Sequence, residues 1–243
     1  MVSEPAYNES MVVSDAVRRL ERDLRAVFGE RLQSVVVYRP GSDAPDEPTP
    51  TLAVVGHMTA DDLRACADRV TSWHDAGLAT PLLVGAHEFG QALDAFPLEF
   101  GAILADHFVV AGADPFAGLH INPGDLRRAC EVQVRSHLFH LREGYIESRG
   151  RSDELGRLIA ESAAPLAGLL MSVARLHGAV VASTTDAAGQ VERIASLQTD
   201  SLTAIVGLAR HTPPPSNDAR RLFPAYLAAI EQLTHHIDQW HLH

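Results

Sequence analysis

Residues 32–55 read LQSVVVYRPGSDAPDEPTPTLAVV. Two short β-branched runs, Leu32–Tyr38 and Thr51–Val55, flank a loop that carries Pro40, Pro45, Pro48 and Pro50. Apolar runs of this length read as buried strands. The prolines cannot donate to a strand ladder and confine the intervening residues to turn structure. Upstream, Ser14 and Asp15 are capping residues, and Leu20, Leu24, Val27 and Phe28 recur on one helical face. Downstream, Thr59 and Asp62 make a capping pair for a helix whose expected core face is Leu63, Cys66, Ala67, Val70 and Trp73. Residues 81–84 read as a third strand, 88–95 as a short helix, and 107–111 as another strand. The apolar segment 98–104 fits either type. Strands alternating with helices predict an α/β layer architecture.

Asn122-Pro123-Gly124 ends that pattern. Beyond it four helices are expected, over about 125–149, 152–178, 190–210 and 218 to the end of the sequence. The Thr212-Pro-Pro-Pro-Ser216 run separates the last two. The final helix carries the stripe Leu222, Tyr226, Ala229, Ile230, Leu233, Ile237 and Trp240. Helices of this length pack as a bundle. The expected organisation is therefore an α/β domain with a small mixed sheet over residues 1–122, followed by an all-α helical bundle over 123–243.

Composition narrows the function classes. The formal charge is −11 and none of the 20 basic residues is a lysine, which excludes Schiff-base chemistry and a lysine-bearing phosphate loop. The acidic balance argues against nucleic acid and against an anionic membrane surface as partners, since both need a basic footprint. No apolar run approaches the roughly 18 to 20 residues of a membrane helix, and MVSEPAYNES lacks the pattern of a signal peptide. A cytoplasmic location is the expectation, with Cys66 and Cys130 as buried thiols.

The order helix, strand, Gly-Ser loop, strand, helix, strand, then a helical bundle resembles the nucleotidyltransferase superfamily, and in particular a small bacterial branch of nucleotidyltransferase-like proteins. The local matches are Val35–Tyr38 running into Gly41-Ser42, then Leu52–Val55, then 81–84, Phe96-Pro-Leu-Glu-Phe100 and Asp114-Pro-Phe-Ala-Gly-Leu119. The resemblance implies that Gly41 and Ser42 help hold a nucleoside triphosphate. It also implies an acid-x-acid pair at the start of the second strand and a third acid on a later strand. Residues i and i+2 of a strand share a face, so such a pair converges on Mg²⁺.

This chain departs from that pattern. Arg39-Pro40 separates the first strand from Gly41-Ser42, and Thr49 and Thr51 stand where the acid pair belongs. Threonine hydroxyls replace anionic Mg²⁺ ligands poorly. Glu99 remains as the third acid, and Asp43, Asp46 and Glu47 crowd the loop. The expectation is a pseudoenzyme of this fold that lacks metal-dependent nucleotidyl transfer and acts as a ligand-binding or scaffold protein. One alternative is an active enzyme modifying a small molecule, with Asp46 and Glu99 binding Mg²⁺ and a nucleoside triphosphate as co-substrate. The other is an interaction module, either a homo-oligomer or one part of a protein complex. A nucleotide or small molecule would occupy the interdomain cleft, for which Thr49, Thr51, His57, Arg135 and Arg142 are candidates.

Arg128, Arg135, Arg142 and Arg149 recur every seventh residue on the first bundle helix, as an anion-facing ridge or as a solvated face braced by pairs such as Glu131 with Arg135. On the same helix Cys130, Val134, Leu138, Leu141 and Tyr145 form one apolar stripe, and Val132, Phe139 and Ile146 another. Arg135 and His140 also fit the short Arg-x4-His pattern of a family of helical ribonucleases. His235, His236, His241 and His243 cluster at the end of the sequence without sharing a face, so no metal site is expected there.

Overall fold

A computed structural model of the chain describes residues 13–38, 48–197, 199–208 and 213–240. Gly41, Ser42, Asp43, Asp46, Glu47, His241 and His243 lie outside the described residues. The described residues form two compact units. The first comprises 13–38, 48–89 and 107–117, and the second 90–106 and 118–240.

The first unit is built on a mixed sheet. Its described elements are α1 (Asp15–Phe28), β1 (Leu32–Tyr38), β2 (Thr51–Val55), α2 (Ala60–Ala67), α3 (Val70–Asp75), β3 (Leu82–Gly85) and, after two intervening helices, β4 (His107–Gly112). The strand order is β3-β2-β1-β4. β1 pairs antiparallel with β2 and with β4, while β3 runs parallel to β2. Helix α1 begins where the Ser14 side chain accepts from the Val17 amide, which satisfies one of the helix's orphan donors. Its buried residues are Val17, Leu20, Leu24 and Phe28. They meet Val35 and Val37 of β1, Ala53 and Val55 of β2, and Cys66, Trp73 and Leu78. Each fully buried side chain of that size stabilises the fold by about 2 kcal/mol.

Thr59 and Asp62 close the expected capping box on α2. Asp62 also receives both terminal nitrogens of Arg31 at 2.7 Å each, and the Arg31 side chain holds its carboxyl well below the usual range. That fork turns the helix about its axis relative to the sequence expectation. Asp62 is buried and Leu63 is exposed, so Leu63 is not a core residue. The helix also ends at Ala67 and restarts at Val70, which places Trp73 in the core with its indole N–H donating to Asp23 at 2.9 Å.

At the end of β4, Gly112 has φ 80°, and a Cβ there would stand 1.9 Å from the Gln33 carbonyl oxygen. Only glycine fits that crossing.

The second unit is helical. It contains most of α4 (Phe89–Ala95), α5 (Pro97–Ala105), α6 (Pro123–Ser148), α7 (Ser152–Leu176), α8 (Thr184–Ile194), α9 (Ser201–Val206) and α10 (Ser216–Gln239). The ambiguous stretch 98–104 is thus helix, started by Pro97 in the first turn. Helix α7 is the centre of the unit and touches α6, α8, α9 and α10. By length and composition alone it equals a membrane-crossing helix, yet its Leu155, Ile159, Leu166, Leu169, Leu170 and Val173 belong to the bundle core.

The continuous helix expected over 190–210 is instead α8 and α9. Ser196 in the connection has φ 53°. The buried Glu192 carboxylate accepts from the Leu202 and Thr203 amides at 2.8 and 3.0 Å and from the Thr203 hydroxyl at 2.6 Å. A side chain from one helix caps the next, and the break follows from that.

Candidate functional site

Among the described residues, two places bear on function, one in each unit. The first is the head of β2. The Thr49 amide donates to the Gly77 carbonyl at 2.8 Å and its own carbonyl accepts from Ala79, which extends β2 alongside the segment leading into β3. Thr51 pairs with Val37. Side chains alternate across a strand, so Thr51 shares its face with Ala53 and Val55, the face covered by α1 to α3. It is 1% exposed, and its hydroxyl has no hydrogen-bond partner. Among the described residues, the donor set at the head of β2 does not fit a Mg²⁺ pair. Thr51 supplies a neutral oxygen enclosed in the helix-packed layer, and among the described residues no three His, Cys, Asp or Glu side chains gather in a metal-binding group.

The other residues singled out from the sequence are dispersed. His57 is exposed just after β2, and its carbonyl accepts from Arg31. Glu99 stands in the first turn of α5, in the helical unit, and not on a strand. Arg135 pairs with Glu131 and, at 2.5 Å, with Asp238 of α10, while Arg142 pairs with Glu231 of α10 at 2.8 Å. These two arginines fasten α6 to α10. His140, by contrast, lines a cavity to which Arg135 does not contribute. Asp114 accepts from the Phe116 amide and from His107, and Phe116 is buried. The Asp-Pro-Phe segment is thus a packed turn.

The second place is a cavity of about 380 Å³ between α6 and α7, walled by Gln133, Ser136, His137, His140, Glu161 and Ser162, with apolar contributions from Leu141, Leu158 and Pro165. Pro165 lies inside α7. Proline removes the N–H that the Glu161 carbonyl would otherwise accept.

A hydrogen-bonded chain lies behind the wall. His137 Nε2 is 2.5 Å from the Tyr226 hydroxyl, which donates to Ser162 Oγ at 3.1 Å, which in turn donates to the Ile159 carbonyl at 2.8 Å. Each hydroxyl has one proton, so His137 must be the donor to Tyr226, and its Nδ1 is left as an acceptor. Burial, with His140 nearby, lowers the His137 pKa to about 4, and burial raises that of Tyr226. The imidazole is neutral at physiological pH, in a fixed tautomer, with an acceptor nitrogen in a cavity-lining side chain. Such an arrangement recognises a hydroxyl or amine donor on a small molecule.

Sequence reasoning placed Tyr226 in the core stripe and did not single out His137 or Ser162. The residues of this chain are separated by 89 and 64 positions, a distance over which periodicity carries no signal. Neither cysteine offers a nucleophile. Both are buried, and burial pushes the Cys130 thiol up to about 12.

No family model and no curated protein matches the chain. Among solved structures it is similar to the spectinomycin adenyltransferase AAD(9) of Enterococcus faecialis, whose structure contains ATP and spectinomycin. The TM-score is 0.51 at 10% identity, over 92% of this chain and 98% of that one. That likeness establishes the fold, which is a nucleotidyltransferase-like α/β domain with a small mixed sheet together with a helical region.

Proposed function

We propose that this chain is a nucleotidyltransferase-fold protein that does not carry out metal-dependent nucleotidyl transfer and instead binds a small polar molecule in its helical unit. The observation that carries the first half is the burial of Thr51, 1% exposed with an unpartnered hydroxyl on the helix-covered face of the sheet. A transfer enzyme of the resembled kind needs anionic side chains there, open to ligand. The second half rests on the cavity between α6 and α7 and the neutral His137 that lines it. The structure of the similar adenyltransferase contains ATP and spectinomycin, so a small-molecule ligand is compatible with the fold.

The test is an assay of purified protein with α-labelled ATP, GTP, CTP and UTP, Mg²⁺, and a panel of small hydroxyl and amine acceptors. No metal-dependent label transfer is expected. Transfer that disappears in Glu99→Ala or Asp46→Asn would overturn this reading and establish the active enzyme.

A second reading rests on α6. Val132, Phe139 and Ile146, seven residues apart, are 68%, 54% and 74% exposed. They form a line opposite the buried face that carries Cys130, Val134, Leu138 and Leu141. Heptad spacing is the geometry by which one long helix lies along another, and the simplest partner is α6 of a second copy of this chain. Light scattering would report a dimer that Phe139→Glu converts to monomer. A wild-type monomer at all concentrations would rule this out.

A further inference from the structure

Beside the His137 cavity lies another, of about 280 Å³, which shares Gln133 and Pro165 with it and adds Glu99, Ser172 and Arg175 among its walls. Arg175, near the end of α7, is its distinguishing residue. Among the described residues its guanidinium forms no hydrogen bond and no ion pair, and Nη1 is shut off from solvent without an acceptor. The Ser172 hydroxyl on the preceding turn is committed to the Gly168 carbonyl at 3.0 Å. Glu99, the one carboxylate in the wall, is exposed and does not pair with Arg175.

A buried charge without a partner is costly, and proteins ordinarily supply one from within. Burial lowers the Arg175 pKa, but arginine stays protonated. Arg175 is half-buried, and this fold places its charge against a cavity whose other walls are mostly apolar, with no counter-ion among the described residues. Five N–H donors in a planar fork match a carboxylate or phosphoryl group edge to edge. The Glu99 carboxylate in the same wall repels a second anionic group, which selects against triphosphates and other polyanions. A volume of 280 Å³ suits a metabolite smaller than a nucleotide.

We infer that the cavity beside Arg175 is a binding site for a small molecule bearing one oxyanion group, carboxylate or phosphoryl, which pairs with the guanidinium. This deepens the ligand-binding reading above and rests on it, by giving the ligand an acidic end.

The test is differential scanning fluorimetry of the wild type, Arg175→Met and His137→Gln. Each is melted alone, in millimolar acetate and in millimolar inorganic phosphate, at ionic strength matched with chloride. Without ligand, Arg175→Met is expected to melt above the wild type, because an apolar chain of similar length replaces an uncompensated charge. Acetate, phosphate or both should raise the wild-type Tm, the responding anion distinguishing a carboxylate from a phosphoryl ligand, and Arg175→Met should lose that rise. A ligand-free Tm below that of the wild type in both Arg175→Met and Arg175→Gln would make Arg175 structural and overturn the inference. So would an anion response that persists in Arg175→Met. If the persisting response vanishes in His137→Gln, the ligand sits in the neighbouring cavity and the broader reading survives. No response in any form of the protein overturns the inference and leaves the broader reading to the transfer assay.

Discussion

Thr51 and His137 are the two residues on which the functional argument turns, and each makes a measurable claim. The Thr51 hydroxyl is enclosed without a partner, so it contributes a desolvation cost and no bond. Thr51→Val keeps the shape and removes that cost. It should stabilise the protein by about 1 kcal/mol in urea unfolding. Thr51→Asp, the change that would restore the resembled motif, should destabilise it by roughly 3 kcal/mol or more, because it buries a carboxylate in an apolar layer. Loss of stability in Thr51→Val would mean that the hydroxyl has a structural partner after all. For His137 the folded pKa of about 4 lies below the unfolded value of about 6.5. The neutral form is favoured by folding, so the associated stability is fully present above pH 6.5 and is lost as pH falls towards 4. The full span is about 3 kcal/mol. His140 and Glu161 share the cavity wall and Tyr226 lies behind it, so the pH slope must be read as a difference. Between pH 7 and 4.5 the wild type should lose more stability than His137→Gln, and equal slopes would contradict the assignment.

At the scale of elements, most of what formed was legible, and the failures share a cause. Helices α1, α6, α7 and α10 announce themselves through caps and apolar stripes. The Val-rich runs of β1 and β2 are equally clear. What could not be read was hydrogen bonding by side chains to residues distant in sequence. The Arg31–Asp62 fork sets which face of α2 is buried and spans 31 positions. The Glu192 cap on α9 breaks a stretch whose periodicity reads as one helix. Glu192→Ala leaves two amides and a hydroxyl without their acceptor. It should cost about 3 kcal/mol, with a matching drop in the urea midpoint, and a change under 0.5 kcal/mol would show that α9 holds itself. Helix α6 failed differently. Its two apolar stripes are plain in the sequence, but burial of only one of them depends on what lies opposite, which periodicity does not contain.

At the scale of the whole molecule, the order of elements led to a nucleotidyltransferase-like fold that the structural similarity bears out at 10% identity. The candidate site was less legible. The resemblance directed attention to the loop after β1 and the head of β2, whereas the two cavities described above take their polar groups from α5, α6 and α7. Composition supplied one lasting constraint, a chain whose only strong cations are arginines. One of those arginines, Arg175, is half-buried, and among the described residues its enclosed Nη1 has no acceptor. The central claim, that the fold no longer assembles a metal-dependent nucleotide site, is tested most directly by the melting temperature of the wild-type protein with each of ATP, GTP, CTP and UTP, with and without Mg²⁺. A ligand that binds only the folded state must raise Tm by mass action. The result expected is no Mg²⁺-dependent rise with any of the four. A rise that requires Mg²⁺ would contradict the claim and would place a working metal site in the chain.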